Sequence, residues 1–187
     1  IYHAFIKHLI IEGKAYPCFC TKEENDKVRE HQTENKKRIG YYGKYAKCRN
    51  IYASEAIERI KNGEQYIIRI KSPGCFDRKI VIEDLIKGKL EMPENDIDIP
   101  IMKKDGLPTY HFAHLVDDHL MRTTHITRGD EWVPSLPIHI QLFQMFGFKP
   151  LKYAHLSPIS KNDNGAIRKI SKRKDPEAAM SYYHQEG

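Results

Sequence analysis

The stretch THITRGDEWVPSLPIHIQLFQMFG, residues 124–147, decides the fold. Residues 124–128 have the composition of a short buried strand, and residues 134–147 predict a helix. Pro134 suits the first turn of that helix, and Gly147 suits the position just past its end. A strand that leads directly into a helix is typical of the units that build parallel sheets.

The same alternation continues on both sides of this stretch. A strand is predicted at 98–103 and a helix at 109–121, and a later strand at 152–159 is followed by a helix from Asp175-Pro176 to about residue 185. The first of these helices is expected to bury Phe112, Leu115, Val116 and Leu120. This order predicts an α/β fold with a parallel, doubly wound sheet.

The chain before residue 98 is more basic. Apolar residues at helical spacing predict a helix that stops at Gly13, and residues 15–20 are expected to be extended. Residues 22–49 are polar and hold nine basic residues against five acidic ones. Ser54 is predicted to cap a helix over 55–62.

Two strands follow in this basic part of the chain. They are predicted at 65–70 and 76–82, and a composition break lies at 93–96.

Composition narrows the class of protein. An apolar fraction of 40% suffices for a core, and a net charge of +6 is compatible with a polyanionic partner such as nucleic acid. No apolar run approaches the roughly 20 residues of a membrane helix, and no signal peptide is visible. Four cysteines do not make a disulfide scaffold, so we expect a reducing compartment, the cytoplasm. Because the chain starts and stops next to helical patterns, we expect it to be an excerpt.

The densest charged feature lies between Gly165 and the last predicted helix. Five basic residues fall within seven positions: Arg168, Lys169, Lys172, Arg173 and Lys174. A loop of this kind can hold phosphate groups, although a run of charge is also typical of a solvated surface.

A second feature is the sequence HFAHLVDDH, residues 111–119. His111, His114 and Asp118 are separated by helical steps of three and four, which could place them around a metal ion in a hydrolase. The alternative is that they are polar residues that line a cleft.

A third feature is ITRGDEW, residues 126–132. Arg128 follows a buried strand, and ligands of open α/β sheets bind beyond the carboxyl ends of strands. Arg128 therefore suits a substrate carboxylate, although an ion pair with Asp130 or Glu131 is the competing interpretation.

Cysteines form a fourth feature. Cys18, Cys20 and Cys48 could bind zinc, but a structural zinc site needs four ligands. Plain reduced cysteines are the alternative.

Together these features resemble bacterial glutamyl-tRNA synthetases, a family of class I aminoacyl-tRNA synthetases. The resemblance rests on LIIEGKAYPCFCT (9–21), on residues 102–148, and on KISKR (169–173), which resembles the class I signature KMSKS. It implies the second half of a Rossmann-like sheet with an inserted α+β acceptor-binding unit. The implied divisions are a catalytic-domain helix at 1–14, the inserted tRNA acceptor-binding unit at 15–97, the second half of the nucleotide-binding domain at 98–160, and the signature loop with the start of a helical region at 161–187.

The resemblance also implies an activity, namely attachment of glutamate to tRNA(Glu) through a glutamyl-adenylate, with ATP and Mg²⁺. The implied catalytic residues are Lys172, Lys169 and Ser171. The implied glutamate-binding residues are Arg128, Tyr110, His114 and Trp132, and those that bind ATP are Lys172, Glu131 and Trp132. Structural zinc on Cys18, Cys20 and Cys48, and a monomeric state, are implied as well.

Three departures from the family pattern stand out. The first signature, His-Ile-Gly-His, is absent, so this chain alone is expected to be inactive. His114 stands where many members have Asn, and Asn50 stands where a zinc-binding member has His.

Other interpretations remain open at this level. A glutaminyl-tRNA synthetase and the paralogue that glutamylates queuosine are close alternatives. A metal-dependent hydrolase and a non-enzymatic RNA-binding module come from different classes.

Overall fold

A computed structural model describes residues 1–163, 165–171 and 173–186. The helices are α1 Tyr2–Ile11, α2 Lys22–Glu34, α3 Ala53–Lys61, α4 Tyr110–Leu120, α5 Leu136–Met145 and α6 Met180–Glu186. The strands are β1 Ala15–Cys18, β2 Ile67–Ile70, β3 Lys79–Asp84, β4 Gly88–Pro93, β5 Pro100–Met102, β6 His125–Gly129, β7 Lys152–Leu156, β8 Ser160–Asp163 and β9 Ala166–Lys169. Within this described part of the chain, no helix is long and apolar enough to cross a bilayer.

The strands form sheets of mixed direction. One sheet has the order β1-β2-β5 and is antiparallel, and β8 and β9 form a separate hairpin. The larger sheet has the order β4-β3-β7-β6, in which β7 runs parallel to both β3 and β6. The predicted α/β fold with a parallel sheet is confirmed.

The register of the larger sheet brings three strand ends together. Arg128 lies opposite His155, and Gly129 lies opposite Leu156, where β6 and β7 both end. On the other side of β7, Asp84 at the end of β3 lies opposite Tyr153. The carboxyl ends of these strands therefore share one edge, where open α/β sheets bind ligands.

Helix α4 buries one face against the antiparallel sheet and α5. Phe112, Leu115 and Val116 are fully buried because steps of three and four place them on one side of the helix. Leu120, which was expected on the same face, is 49% exposed and its prediction is wrong. It is the last residue of α4, one turn beyond Val116, where the helix runs past the core.

Helix α5 links two hydrophobic clusters. Leu142 and Phe143 belong to the cluster that holds α4, whereas Leu136 packs with Ile82 and Tyr153 of the larger sheet. One helix is thus buried against elements on both sides, and its position fixes the distance from α4 to the sheet edge.

Helix α2 had no counterpart among the predicted elements. It lies in the polar stretch 22–49, and Val28 is its only aliphatic residue, so it lacks the apolar stripe on which periodicity depends. The signal that identifies it is a capping box. The Thr21 side chain accepts the Glu24 N–H, and the Glu24 carboxylate accepts the Thr21 N–H at 2.9 Å.

Several predicted boundaries are wrong. Helix α3 begins at Ala53, so Ser54 lies inside its first turn and does not cap it. Strand β3 starts three residues later than the predicted strand at 76–82, because residues 72–78 form an irregular turn held by other polar contacts. The helix expected from Asp175-Pro176 is a 3₁₀ turn at Pro176–Ala178 followed by α6.

A buried carboxylate holds residues 15–18, 49, 72 and 98 together. The Asp98 side chain has no exposed surface, and it accepts hydrogen bonds from the Tyr16 hydroxyl at 2.6 Å and from the Ser72 N–H at 2.8 Å. It also pairs with Arg49, whose guanidinium donates to the Ser72 carbonyl at 2.7 Å. Both oxygens of this carboxylate therefore have a hydrogen-bond partner, as burial demands.

The burial of α4 gives a test of stability. We expect Leu115→Ala to lower the free energy of unfolding by about 2–5 kcal/mol, because it leaves a cavity in a fully buried site. Leu120→Ala removes the same atoms from the same helix at an exposed position, and about 0.5 kcal/mol is expected. Urea denaturation of both variants measures the difference, and equal losses would contradict this assignment of the buried face.

Candidate functional site

Arg128 lies at the centre of the polar edge. Its Nε donates to His155 Nε2 at 2.8 Å, Nη1 lies 3.1 Å from His139 Nδ1, and Nη2 donates to the Trp132 carbonyl at 3.3 Å. The guanidinium carbon lies 5.0 Å from the centre of the Tyr153 ring. All of these partners are electrically neutral groups.

Nearby carboxylates pair elsewhere. Asp130 accepts from Lys87 at 3.2 Å and Glu131 from Lys169 at 2.7 Å. Among the residues described, no carboxylate lies within 4.0 Å of the Arg128 guanidinium. The competing interpretation, in which Arg128 pairs with Asp130 or Glu131, is therefore wrong for this structure.

Aromatic residues border Arg128 on its solvent side. The Tyr110 and Trp132 rings lie 4.6 Å apart, and Tyr110 also stacks parallel to His114 at 6.3 Å. Tyr110 is 50% exposed and Trp132 36%, so both present surface that a ligand can cover. The structure thus brings together the four residues that the resemblance implied for glutamate: Arg128, Tyr110, His114 and Trp132.

The histidines of α4 bond to protein groups. His114 Nδ1 lies 2.6 Å from Asp118, and its Nε2 lies 3.0 Å from the Tyr153 hydroxyl. His111 Nδ1 lies 2.9 Å from His139 Nε2. Burial lowers the pKa of His114, and the nearby Asp118 carboxylate partly opposes this effect. Burial also lowers the pKa of His111, and the nearby His114 and Arg128 add to it.

This arrangement does not favour the hydrolase hypothesis. In the described ranges of the chain, the one group of three His, Cys, Asp or Glu side chains that could hold a metal ion consists of Cys18, Cys20 and Cys48. His111, His114 and Asp118 do not converge on a common point.

The stretch KISKR, residues 169–173, is called the signature segment below, and it reaches the same edge through an ion pair. Lys169 Nζ lies 2.7 Å from Glu131, and this contact lowers the pKa of the Glu131 carboxyl. Gly129 lets Glu131 fold back over the end of β6, because a Cβ at residue 129 would overlap the carboxylate. Lys172, the principal lysine of the predicted loop, lies outside the described residues.

Asp175 holds the base of the signature segment. Its carboxylate accepts two hydrogen bonds from Arg168, each at 2.7 Å, and the N–H of Ser171 at 2.8 Å, and it also pairs with Lys161. These contacts lower the pKa of Asp175, with Arg168 as the main cause. The side chain therefore joins β8, β9 and the loop, whereas the sequence predicted Asp175 only as the start of a helix.

The three cysteines form a compact group. Cys20 Sγ and Cys48 Sγ are 3.7 Å apart, and all three sulfur atoms lie within 4.8 Å of one another. The buried Tyr41 hydroxyl lies 3.5 Å from Cys18 Sγ and 3.3 Å from Cys20 Sγ, and it accepts the Cys48 N–H at 2.9 Å. Sequence reasoning missed Tyr41, since no spacing rule relates it to the cysteines.

Other neighbours of Arg128 were also missed. His139, Tyr153 and His155 contact it from α5 and β7, and Asp84 of β3 bonds to the far side of His155. His139 is a polar residue in the otherwise apolar helix α5, and that is the sequence signal that could have drawn attention to it. Asp84 follows Glu83 at the end of β3 and carries no such signal.

Comparison with known proteins gives a consistent result. All 187 residues match the family model described as tRNA synthetases class I (E and Q), catalytic domain. The glutamate--tRNA ligase of Clostridium beijerinckii is 58% identical over 100% of this chain and 34% of its own length. That of Clostridium perfringens strain 13 is 54% identical with the same coverage. The chain spans about a third of the length of these relatives.

Solved structures agree with this result. A glutamate tRNA ligase from Elizabethkingia meningosepticum, in complex with its amino acid, matches 94% of this chain and 35% of its own, with a TM-score of 0.79 and 33% identity. A glutamate-tRNA synthetase from Elizabethkingia anophelis matches 92% of this chain and 35% of its own, with a TM-score of 0.77 and 34% identity. The chain belongs to the class I tRNA synthetase family (E and Q) and matches its catalytic domain throughout.

Proposed function

We propose that the protein attaches glutamate to tRNA(Glu) in two steps. A glutamate carboxylate oxygen attacks the α-phosphate of ATP, which carries Mg²⁺, and pyrophosphate leaves as glutamyl-adenylate forms. A ribose hydroxyl at the 3′ end of the tRNA then attacks the acyl carbon, and AMP leaves. Neither step needs a protein nucleophile, so positioning and charge stabilisation carry the catalysis.

One observation carries this proposal. Arg128 stands at the carboxyl edge of the parallel strands with neutral partners, beside the exposed rings of Tyr110 and Trp132. A guanidinium without a protein carboxylate binds a carboxylate ligand in bidentate fashion. An amide offers it no charge, so the site favours glutamate over glutamine.

The signature segment supports the ATP half of the reaction. We place ATP phosphates between Lys169 and the loop that Lys172 completes, with Ser171 held by Asp175. Glu131 and Trp132 border this space from the turn after β6. In this arrangement Lys169 exchanges its contact with Glu131 for a phosphate oxygen when ATP binds.

We assign the basic face of residues 22–49 to the acceptor stem of tRNA. Lys36 and Lys37 line a groove of about 630 Å³, and Arg38 lies 3.6 Å from the Phe76 ring centre while it pairs with Asp96. Exposed lysines beside a stacked arginine suit a phosphate backbone. The division into an acceptor-binding unit at 15–97 and catalytic segments around it, the monomeric state and the cytoplasmic location also stay predictions.

We also propose structural zinc on Cys18, Cys20 and Cys48. Tetrahedral zinc with Zn–S bonds of about 2.3 Å needs sulfur atoms about 3.8 Å apart. The separation of 3.7 Å between Cys20 and Cys48 fits this requirement. Tyr41 offers the nearest oxygen for the fourth position in place of Asn50. Zinc would tie the end of β1 to the loop around Cys48.

Arg128→Ala in the full-length protein tests the glutamate site. We expect the KM for glutamate to rise by about 100-fold, because a charge-assisted pair is lost. Glutamate-dependent ATP–pyrophosphate exchange measures it. Arg122→Ala, an exposed arginine after α4, is the control that should leave KM unchanged. An unchanged KM in a folded Arg128 variant would contradict the proposed role.

Lys172→Ala tests the phosphate contact implied by the signature. Adenylate formation should fall by about 10²–10³-fold, since a charge that stabilises the leaving pyrophosphate is gone. Single-turnover formation of adenylate gives the rate, and Lys104→Ala in an exposed turn serves as the control. Wild-type rates in the Lys172 variant would refute the assignment.

Metal analysis tests the zinc proposal. We expect one zinc ion per chain in the purified protein, and loss of most of it in Cys48→Ala, which removes one of three thiolates. Cys75→Ala is the matched control, because Cys75 is exposed and separate from the cluster. A zinc-free wild-type protein, prepared without chelators, would contradict the zinc proposal. Cys18, Cys20 and Cys48 would then be plain reduced cysteines.

A further inference from the structure

The contacts of Arg128 fix the protonation of a buried imidazole. An arginine Nε can only donate, so His155 Nε2, 2.8 Å away, has to accept and carries no proton. The proton of neutral His155 therefore resides on Nδ1. That atom lies 2.6 Å from Asp84 Oδ2, to which it donates. The chain of donation runs from Arg128 to His155 to Asp84.

Asp84 is itself immobilised. Its Oδ1 accepts the N–H groups of Ile86 at 3.0 Å and Lys87 at 2.9 Å, in the turn that follows β3. The side chains of Asp84 and His155 both have no exposed surface. Burial acts to raise the pKa of Asp84, but hydrogen bonds from Lys87, His155 and Ile86 outweigh it and lower the pKa to about 2. Asp84 is thus a fixed anion that accepts on both oxygens.

The Nη1 group of Arg128 fixes the tautomer of a second imidazole, that of His139, in the same way. Nη1 donates to His139 Nδ1, so the proton of His139 is on Nε2, which faces His111 Nδ1 at 2.9 Å. Burial, with the nearby His114 and Arg128, lowers the pKa of His139 to about 2, which keeps it neutral. Arg128 is oriented by two imidazoles whose tautomers are both determined.

The imidazole has a second consequence for Arg128. Because His155 separates Asp84 from Arg128, the anion orients the guanidinium without contacting it. A direct carboxylate contact would orient the side chain equally well but would occupy the donors that a substrate carboxylate needs. Within the described part of the chain, Arg128 uses three of its five N–H donors. The remaining donors are available to a ligand.

We propose that Asp84 and His155 are positioning residues for glutamate binding, in which Asp84 sets the tautomer of His155 and His155 orients Arg128. This inference rests on the proposed function of Arg128. It assigns a role to the turn after β3 that no sequence motif suggested.

Asp84→Asn in the full-length protein is the primary test. Its amide oxygen can keep the bonds to Ile86 and Lys87, which places its NH₂ group against His155 Nδ1. His155 Nδ1 then has to accept this hydrogen bond, so the ring proton moves to Nε2. The His155 Nε2–H and the Arg128 Nε–H are then two donors that face each other, and their hydrogen bond is lost. We expect the KM for glutamate to rise by about 10- to 100-fold. The kcat of pyrophosphate exchange and the KM for ATP should change by less than about threefold.

His155→Gln provides the rescue. A glutamine oxygen can accept from Arg128 Nε without needing Asp84, so its KM should lie between those of wild type and Asp84→Asn. Adding Asp84→Asn to His155→Gln should raise the KM for glutamate by less than about a further threefold, since the residue through which Asp84 acts is gone. Fully additive losses would overturn the proposed route.

Asp98→Asn is the matched control for burial. Asp98 is equally buried and accepts several hydrogen bonds, but no contact joins it to Arg128. It should lower the melting temperature and leave the KM for glutamate unchanged. An equal rise in KM in this variant would show that loss of a buried carboxylate acts through general stability, and would overturn the inference.

Nitrogen-15 NMR of the histidine side chains gives a readout that needs no substrate. His155 should show a protonated Nδ1 in the wild type and a protonated Nε2 in Asp84→Asn. A protonated Nε2 in the wild type would overturn the inference. So would a KM that rises in Arg128→Ala but stays unchanged in Asp84→Asn. If the wild type shows no glutamate-dependent exchange at all, the proposed function fails and this inference fails with it, whatever the tautomer.

Discussion

Strand β7 lies between β3 and β6 and runs parallel to both, and this pairing sets where each polar group of the site stands. Parallel strands end at a common edge, so the residues at their carboxyl ends come within hydrogen-bond distance although they are far apart in sequence. Asp84 and His155 are separated by 71 positions yet lie 2.6 Å apart. A shift of one residue in the register would turn His155 to the opposite face and break the contact with Arg128.

The charge distribution around Arg128 follows from that geometry. Its direct partners are imidazoles and a carbonyl, and the carboxylates of Asp130 and Glu131 pair with Lys87 and Lys169. Arg128 is half-buried, and a partly desolvated cation gains most from a ligand that supplies the counter-ion. The edge is therefore prepared for an anionic ligand, and the exposed rings of Tyr110 and Trp132 give it an apolar wall. In the proposed function, glutamate selection and its positioning depend on these same few contacts.

The elements that sequence patterns predicted well are those with strong periodicity. Helices α4 and α5 are apolar at regular spacing, and their burial confirms the pattern apart from Leu120. Strand β6 is found close to where a buried strand was predicted, but its burial is wrong, because β6 lies at the edge of the sheet and its residues are half-buried or exposed. Helix α2 was missed because its stability comes from a capping box and not from an apolar stripe. The Asp84–His155 pair could not be predicted, because neither residue belongs to a motif and their contact depends on a parallel pairing across the sheet.

The sequence by itself determined the fold class, the family resemblance and the identity of the residues now grouped at the edge, including Arg128, Tyr110 and Trp132. These follow from local spacing and from motif order, which a linear chain displays directly. Only the tertiary structure decided that Arg128 has no carboxylate partner and that Tyr41 lies among the cysteines. It also decided that His155 Nε2 accepts from Arg128 while His155 Nδ1 donates to Asp84. Hydrogen-bond direction depends on which atoms face each other across the sheet, and that is a property of packing.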